Sequence, residues 1–201
     1  RSQITSKAER NRVHAFTEIA RVASVLSLPE QARDRACMLF ESAQDADLLR
    51  GRSIEGFAAA ALYAACRIES LSRTRTEIAE VASATVVELG TAYSAMNRNL
   101  DLETGPIDPA EYLPRFASEL GLPARIETRA REHLAGLREE NHLAGKDPSG
   151  IAAGCLYAAA KDHSHPLTQK QAAAAADVTP VTLRSTVKAI RGDENHDSGP
   201  G

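Results

Sequence analysis

The sequence predicts an all-α protein built from two tandem copies of one five-helix domain, and three observations predict it. Alanine fills 36 of the 201 positions, aromatic residues make up only 4%, and tryptophan is absent, so helix formers dominate and strand formers are scarce. Sliding the sequence against itself by 94 residues aligns its halves without a gap, with 21 identities over the 70 positions 28–97 and 122–191. Helix-start signals then recur at matching places in both halves.

The identities are not merely shared alanine. Leu28-Pro29 falls on Leu122-Pro123, Gly51 on Gly145, Gly56 on Gly150, and Leu62-Tyr63-Ala64-Ala65 on Leu156-Tyr157-Ala158-Ala159. The reading is a first repeat at 1–100, a linker at 101–107 around Gly105-Pro106, and a second repeat at 108–192. The polar, glycine-bearing residues 193–201 read as a disordered tail.

Each repeat opens with an amphipathic helix. In the first it spans Lys7 to Leu26, with Phe16, Ile19, Ala20, Ala23 and Leu26 at helical spacing. Its counterpart starts at Asp108-Pro109-Ala110-Glu111, an N-cap, a first-turn proline and a capping-box acid. A second helix follows each Leu-Pro, Glu30 to Leu49 and Ala124 to Leu143. The third follows Gly51 or Gly145 and runs through FAAAALYAAC or IAAGCLYAAA. A helix apolar on nearly every face is buried on all sides, so this is the central helix of each repeat.

The last two helices carry the strongest local signal. Thr74-Arg75-Thr76-Glu77 and Thr168-Gln169-Lys170-Gln171 are capping boxes, each opening a helix of about nine residues. A new cap follows each: Thr85 with Glu88, and Thr179 with Pro180 at the first helical position. Two short helices joined by a tight turn make a helix-turn-helix.

Such corners also occur in any helical bundle, so the outward face of the final helix is what bears on DNA binding. On a 100° wheel Leu183, Val187 and Ile190 face the core, while Val181, Arg184, Ser185 and Lys188 lie opposite. Arginine pairs bidentately with guanine, valine contacts a thymine methyl, and serine and lysine suit phosphates or base edges. The matching face of the first repeat, Val87, Gly90, Thr91 and Ser94, carries no charge. The second repeat is therefore the better candidate for sequence readout.

Net charge argues the other way until it is resolved along the chain. With 24 basic against 27 acidic side chains the formal charge is −3, whereas nucleic-acid binders usually carry a basic excess. Between Lys146 and Arg191, however, six basic residues face three acidic ones. Non-specific DNA affinity is then expected to be weak and binding to depend on a few placed contacts.

Other classes fit poorly. The longest apolar run, Phe57 to Cys66, is about half of a membrane span, and no secretory leader is evident, so a membrane or secreted protein is not expected. Cys37, Cys66 and Cys155 lie far apart, which excludes a disulfide framework or a Cys-x-x-Cys metal site and suggests a reducing compartment. No phosphate loop or His-Glu-x-x-His metal motif is present, so an enzyme is not expected. His163 and His165 read as solvated loop residues. Cys66 and Cys155 read as small core residues, and Tyr63 and Tyr157 as core packing with hydrogen-bonded hydroxyls.

The stretch GRSIEGFAAAALYAACR, the doubled repeat and the closing TQKQAAAAADVTPVTLRSTVKAI resemble the core domain of archaeal transcription factor B, homologue of the eukaryotic general transcription factor of that letter. The resemblance runs from Ala8 to Arg191. It implies two cyclin-like folds that sit on the complex of TATA-binding protein with a bent TATA box, read the upstream B recognition element, and help to recruit RNA polymerase. It places base contacts at Val181 and Arg184, and DNA approach at Gly51-Arg52 and Gly145-Lys146. Thr179, Ser185 and Lys188 are expected to contact the backbone or support the readers. It further implies a cytoplasmic, nucleoid-associated monomer with no cofactor in this segment; the family's zinc ribbon would lie N-terminal to Arg1 if the full chain has one. The alternative is a cyclin-like adaptor that binds only protein, which would not need the basic strip on the last helix.

Overall fold

The computed structural model describes residues 6–192 and contains, among them, ten α-helices and no strand. The proposed tail at 193–201 lies outside the described residues. The chain divides into two compact units, 1–106 and 107–201, and no helix occupies 101–108.

The first unit comprises α1 (Lys7–Val25), α2 (Glu30–Asp45), α3 (Ile54–Ile68), α4 (Arg75–Val81) and α5 (Val86–Asn99). Capping boxes open α1 at Ser6 with Glu9, α4 at Thr74 with Glu77, and α5 at Thr85 with Glu88. Every residue of α3 from Gly56 to Cys66 is buried, because α1, α2, α4 and α5 all pack against it. Around it close Ile19, Phe40, Ile78, Leu89 and Met96, with Tyr63 set edge-on to Tyr93 at 4.9 Å between ring centroids. Alanine at Ala58–Ala61, Ala64 and Ala65 lets these neighbours approach closely.

The second unit comprises a 3-10 turn (Pro109–Tyr112), α6 (Leu113–Glu119), α7 (Ala124–Glu139), α8 (Pro148–Asp162), α9 (Gln169–Ala175) and α10 (Pro180–Arg191). The central helix is α8, buried from Ser149 to Leu156 and again from Ala158 to Ala160. Phe116, Ile126, Leu134, Leu167 and Leu183 close around it.

Several expected elements differ in detail. Asp108 accepts a hydrogen bond from the Ala110 N–H, as a cap should, but it opens a 3-10 turn; Pro114 has no N–H to continue that turn, and the α-helix starts afresh at Leu113. The helices after Leu-Pro stop at Asp45 and Glu139 rather than Leu49 and Leu143, because Asp47 and Asn141 turn into the left-handed region at φ 55° and 56°. The first helix of each corner has seven residues, not nine. Tyr63 is buried, whereas Tyr157 is only half-buried and lies 5.4 Å beneath the Lys161 ammonium. Cys66 and Cys155 are fully buried, and desolvation pushes both thiols up to about 12.

Candidate nucleic-acid interface

The corner of α9 and α10 is built by caps and one left-handed residue. Thr168 accepts from the Gln171 N–H while Gln171 accepts from the Thr168 N–H, which fixes the start of α9. Its end turns at Asp177, φ 53°, where a short polar side chain tolerates that conformation. α10 then starts with Thr179 as N-cap, its hydroxyl accepting from the Thr182 N–H at 3.3 Å, and Pro180 in the first turn. Ser149 reinforces the corner from behind, its buried Oγ 3.1 Å from the Ala176 carbonyl oxygen at the end of α9.

On α10, Leu183 and Thr186 are buried and Val187 and Ile190 half-buried, so this side faces α8 and α9. The other side presents the expected strip. Val181 is 66% exposed, and Arg184, Ser185 and Lys188 are exposed. Residues three and four apart on a helix lie about 5–6 Å apart at Cβ, so the four form one continuous face. Thr179 borders this strip with its hydroxyl already committed to the cap.

The Gly145-Lys146 loop precedes the same corner. Gly145 adopts φ 72°, and the Lys146 N–H donates to the Leu143 carbonyl at 3.2 Å, a turn that delivers the chain to the Asp147 cap of α8. The N-terminus of α8 in turn abuts α10, because a Cβ placed on Gly150 would stand 3.0 Å from Thr182 Cγ2. Lys146 therefore belongs to the end of the second unit from which Val181 projects.

In the first unit the equivalent loop has the same geometry. Gly51 lies at φ 68°, and the exposed Arg52 donates from Nη1 to the Leu48 carbonyl at 2.6 Å, which holds its guanidinium over the end of α2. Gly51, Arg52, Ser53 and Phe57 line a groove of about 240 Å³ with Val87, Glu88, Thr91 and Ala92 of α5. Val87 is 76% exposed. This corner thus presents apolar Val87 with the Glu88 carboxylate beside it on α5, and Arg52 as its flanking cation.

Two features escaped the sequence reading. Glu18 on α1, almost buried, accepts the Ser83 N–H at 2.6 Å and pairs bidentately with Arg21, whose Nη2 donates to the Val81 carbonyl at 2.7 Å. The hydrogen bonds from Arg21 outweigh desolvation and hold the Glu18 carboxyl below the usual range. In the second unit Asp162, at the end of α8, takes Arg129 Nε at 2.8 Å and His133 Nε2 at 2.7 Å, with Arg191 of α10 at 4.0 Å. Burial raises its carboxyl pKa, but the hydrogen bonds from Arg129 and His133 outweigh it, so the net value is lowered. Both contacts join residues at least 29 positions apart, a separation that leaves no local pattern to read.

His163 and His165 lie at the end of α8 and in the turn after it. Among the described residues no group of three or more His, Cys, Asp or Glu is placed to hold a metal ion, and no helix is long and apolar enough to cross a membrane.

The model of the transcription factor TFIIB repeat matches the chain twice, over residues 8–99 and 102–192. Transcription initiation factor IIB 1 of Halobacterium salinarum is 59% identical over 186 residues, 92% of this chain and 65% of that protein. Transcription initiation factor IIB 3 of the same organism is 46% identical over 88% of this chain and 56% of its own length. Transcription initiation factor IIB of Methanococcus maripaludis is 42% identical over 94% of this chain and 56% of its own length. The chain thus spans between about half and two thirds of the relatives it matches. These relatives are transcription factors rather than enzymes. With a family repeat matched over each of its two five-helix units, the chain belongs to the transcription initiation factor IIB family.

Proposed function

We propose that this chain is the DNA-engaging core of a general transcription initiation factor, working as a monomer in the cytoplasm at the nucleoid. It docks on TATA DNA already bent by the TATA-binding protein and reads the B recognition element upstream with α10. RNA polymerase is then recruited to that assembly. Val181 and Arg184 touch bases; Lys188, Ser185 and Lys146 of the second unit, and Gly51-Arg52 of the first, lie along the backbone. No cofactor takes part in these contacts.

The observation that carries this reading is the outward strip of α10. An exposed valine and an exposed arginine, one turn apart on a helix capped by Thr179 and seated by buried Leu183, have the form of a major-groove reader. The weak overall charge supports dependence on the partner, because a chain at −3 gains little from non-specific phosphate attraction.

A gel-shift with an archaeal TATA-binding protein and a TATA duplex tests it. The expected result is a ternary complex in which Arg184→Ala loses about 1–3 kcal/mol, mostly on the preferred upstream sequence. Equal weakening on every upstream sequence reassigns Arg184 to a phosphate, and no supershift at low or high salt sinks the reading.

A further inference from the structure

α10 rests on α8 through two glycines and two threonines. Gly150 and Gly154 lie four residues apart on one face of α8; Thr182 and Thr186 lie four apart on the inner side of α10. A Cβ on Gly150 would stand 3.0 Å from Thr182 Cγ2, and one on Gly154 would stand 2.6 Å from both Cβ and Cγ2 of Thr186. Carbon atoms in ordinary contact keep about 3.5–4.0 Å, so the second position has no room for a methyl group. Thr186 is 3% exposed, and its Cβ is fixed to the α10 backbone, so it cannot swing aside as the end of a long side chain would.

The first unit solves the same contact differently. At the matching positions stand Ala60 and Ala92, both buried, each supplying one methyl group. The second unit has moved all the bulk onto the outer helix and left the central helix bare.

We infer that the contact of Gly154 with Thr186 is a positioning device, which sets the height and rotation of α10 and so the aim of Val181 and Arg184. Thr186 and the Val181–Arg184 strip lie on opposite sides of one rigid helix, so a displacement at one is carried to the other. A methyl group on Gly154 forces α10 outward by about 1 Å, the shortfall between 2.6 Å and normal contact. Base-edge hydrogen bonds hold only between about 2.7 and 3.2 Å, so such a shift breaks them. Long flexible cations on phosphates tolerate it. The inference rests on α10 being the base-reading helix.

The test is selection from TATA duplexes randomised upstream of the box, bound by the chain together with an archaeal TATA-binding protein. Gly154→Ala is expected to keep the ternary complex but to lower upstream discrimination about tenfold, the worth of one misplaced bidentate contact. Gly154→Ala/Thr186→Ala, which installs the alanine pair of the first unit, is expected to restore it. Thr186→Val, a steric twin, is expected to discriminate like the wild type. Full discrimination in Gly154→Ala overturns the inference, as does failure of the double variant to recover while its melting temperature matches the wild type. Should Gly154→Ala not fold, the double variant and Thr186→Val decide alone: both discriminate if the seat is steric, and loss in either overturns it. Arg184→Ala runs alongside. If it leaves discrimination intact, the base-reading assignment itself fails; if it abolishes discrimination and Gly154→Ala does not, only the seat fails.

Discussion

The α4–α5 corner and the α9–α10 corner occupy matching places in the two repeats, yet they present different chemistry to solvent. Their inner sides agree: Leu89 and Leu183 are both fully buried, Thr85 and Thr179 both cap, and Gly56 and Gly150 both let the last helix approach the central one closely. Their outer sides do not. α5 shows Val87, Gly90, Thr91 and Ser94, whereas α10 shows Val181, Arg184, Ser185 and Lys188. The turns also differ in how they are held. In the first, Glu18 of α1 accepts the Ser83 N–H and Arg21 donates to the Val81 carbonyl, while the second turn bends at Asp177 and is braced by Ser149 from the central helix. The difference teaches that the packing of a corner and the face it presents are separable: the buried leucine, the threonine cap and the first glycine contact are shared, whereas the outward faces have diverged.

Leu89→Ala and Leu183→Ala give the sharpest way to break that statement. Each removes a fully buried side chain between the last helix and the core, so each is expected to cost about 2–5 kcal/mol in urea unfolding. A cost confined to one of them would mean that the seats are not equivalent. Glu18→Gln tests the clamp of the first unit; at the matching position the second has Tyr112, stacked on Phe116. Its loss is expected to cost about 1.5–3 kcal/mol at neutral pH, the worth of a hydrogen bond to a charged group. Because the folded pKa of Glu18 is lowered, this stability is present above the ordinary glutamate range and fades as pH falls through the folded value. Urea unfolding from pH 7 downward should therefore narrow the gap between wild type and Glu18→Gln toward the acid end. The smallest effect is expected of Thr91→Ala, which lies outward on α5 where Ser185 lies on α10: within about 0.5 kcal/mol in both stability and ternary-complex formation. A specific loss of upstream discrimination there would make the first corner a reader as well.

What was legible in the sequence was what local chemistry decides. Caps at Thr74, Thr85 and Thr168 read correctly because a threonine hydroxyl and an acid or amide three residues on satisfy the same orphan N–H groups wherever they occur, and Thr179 because its hydroxyl caps a helix that Pro180 starts. The buried central helices read correctly because alanine and glycine on every face admit no solvent side. The strip of Val181, Arg184, Ser185 and Lys188 followed from the helical period once Pro180 fixed the start of α10. Helix ends were less legible. Asp47 and Asn141 terminate their helices by backbone conformation, and neither residue type compels a positive φ. Pro114 was visible, but the 3-10 turn that absorbs it depends on Tyr112 and Leu113 both finding the core. The seat of Gly154 on Thr186 and the clamp of Glu18 on Ser83 were not legible, since each exists only after two distant helices have packed.

The buried sulfurs add a kinetic dimension to the duplication. Cys66 sits on α3 and Cys155 on α8, one in the centre of each unit, and burial pushes each thiol up to about 12. Since the thiolate is the reactive form, neither sulfur reacts with an alkylating reagent at neutral pH until its own helix opens to solvent. Cys37 is only half-buried and reacts first, so with that residue replaced the rate of labelling at each remaining cysteine reports the opening of its own repeat. Each half of the molecule thereby carries a built-in chemical timer for its own breathing.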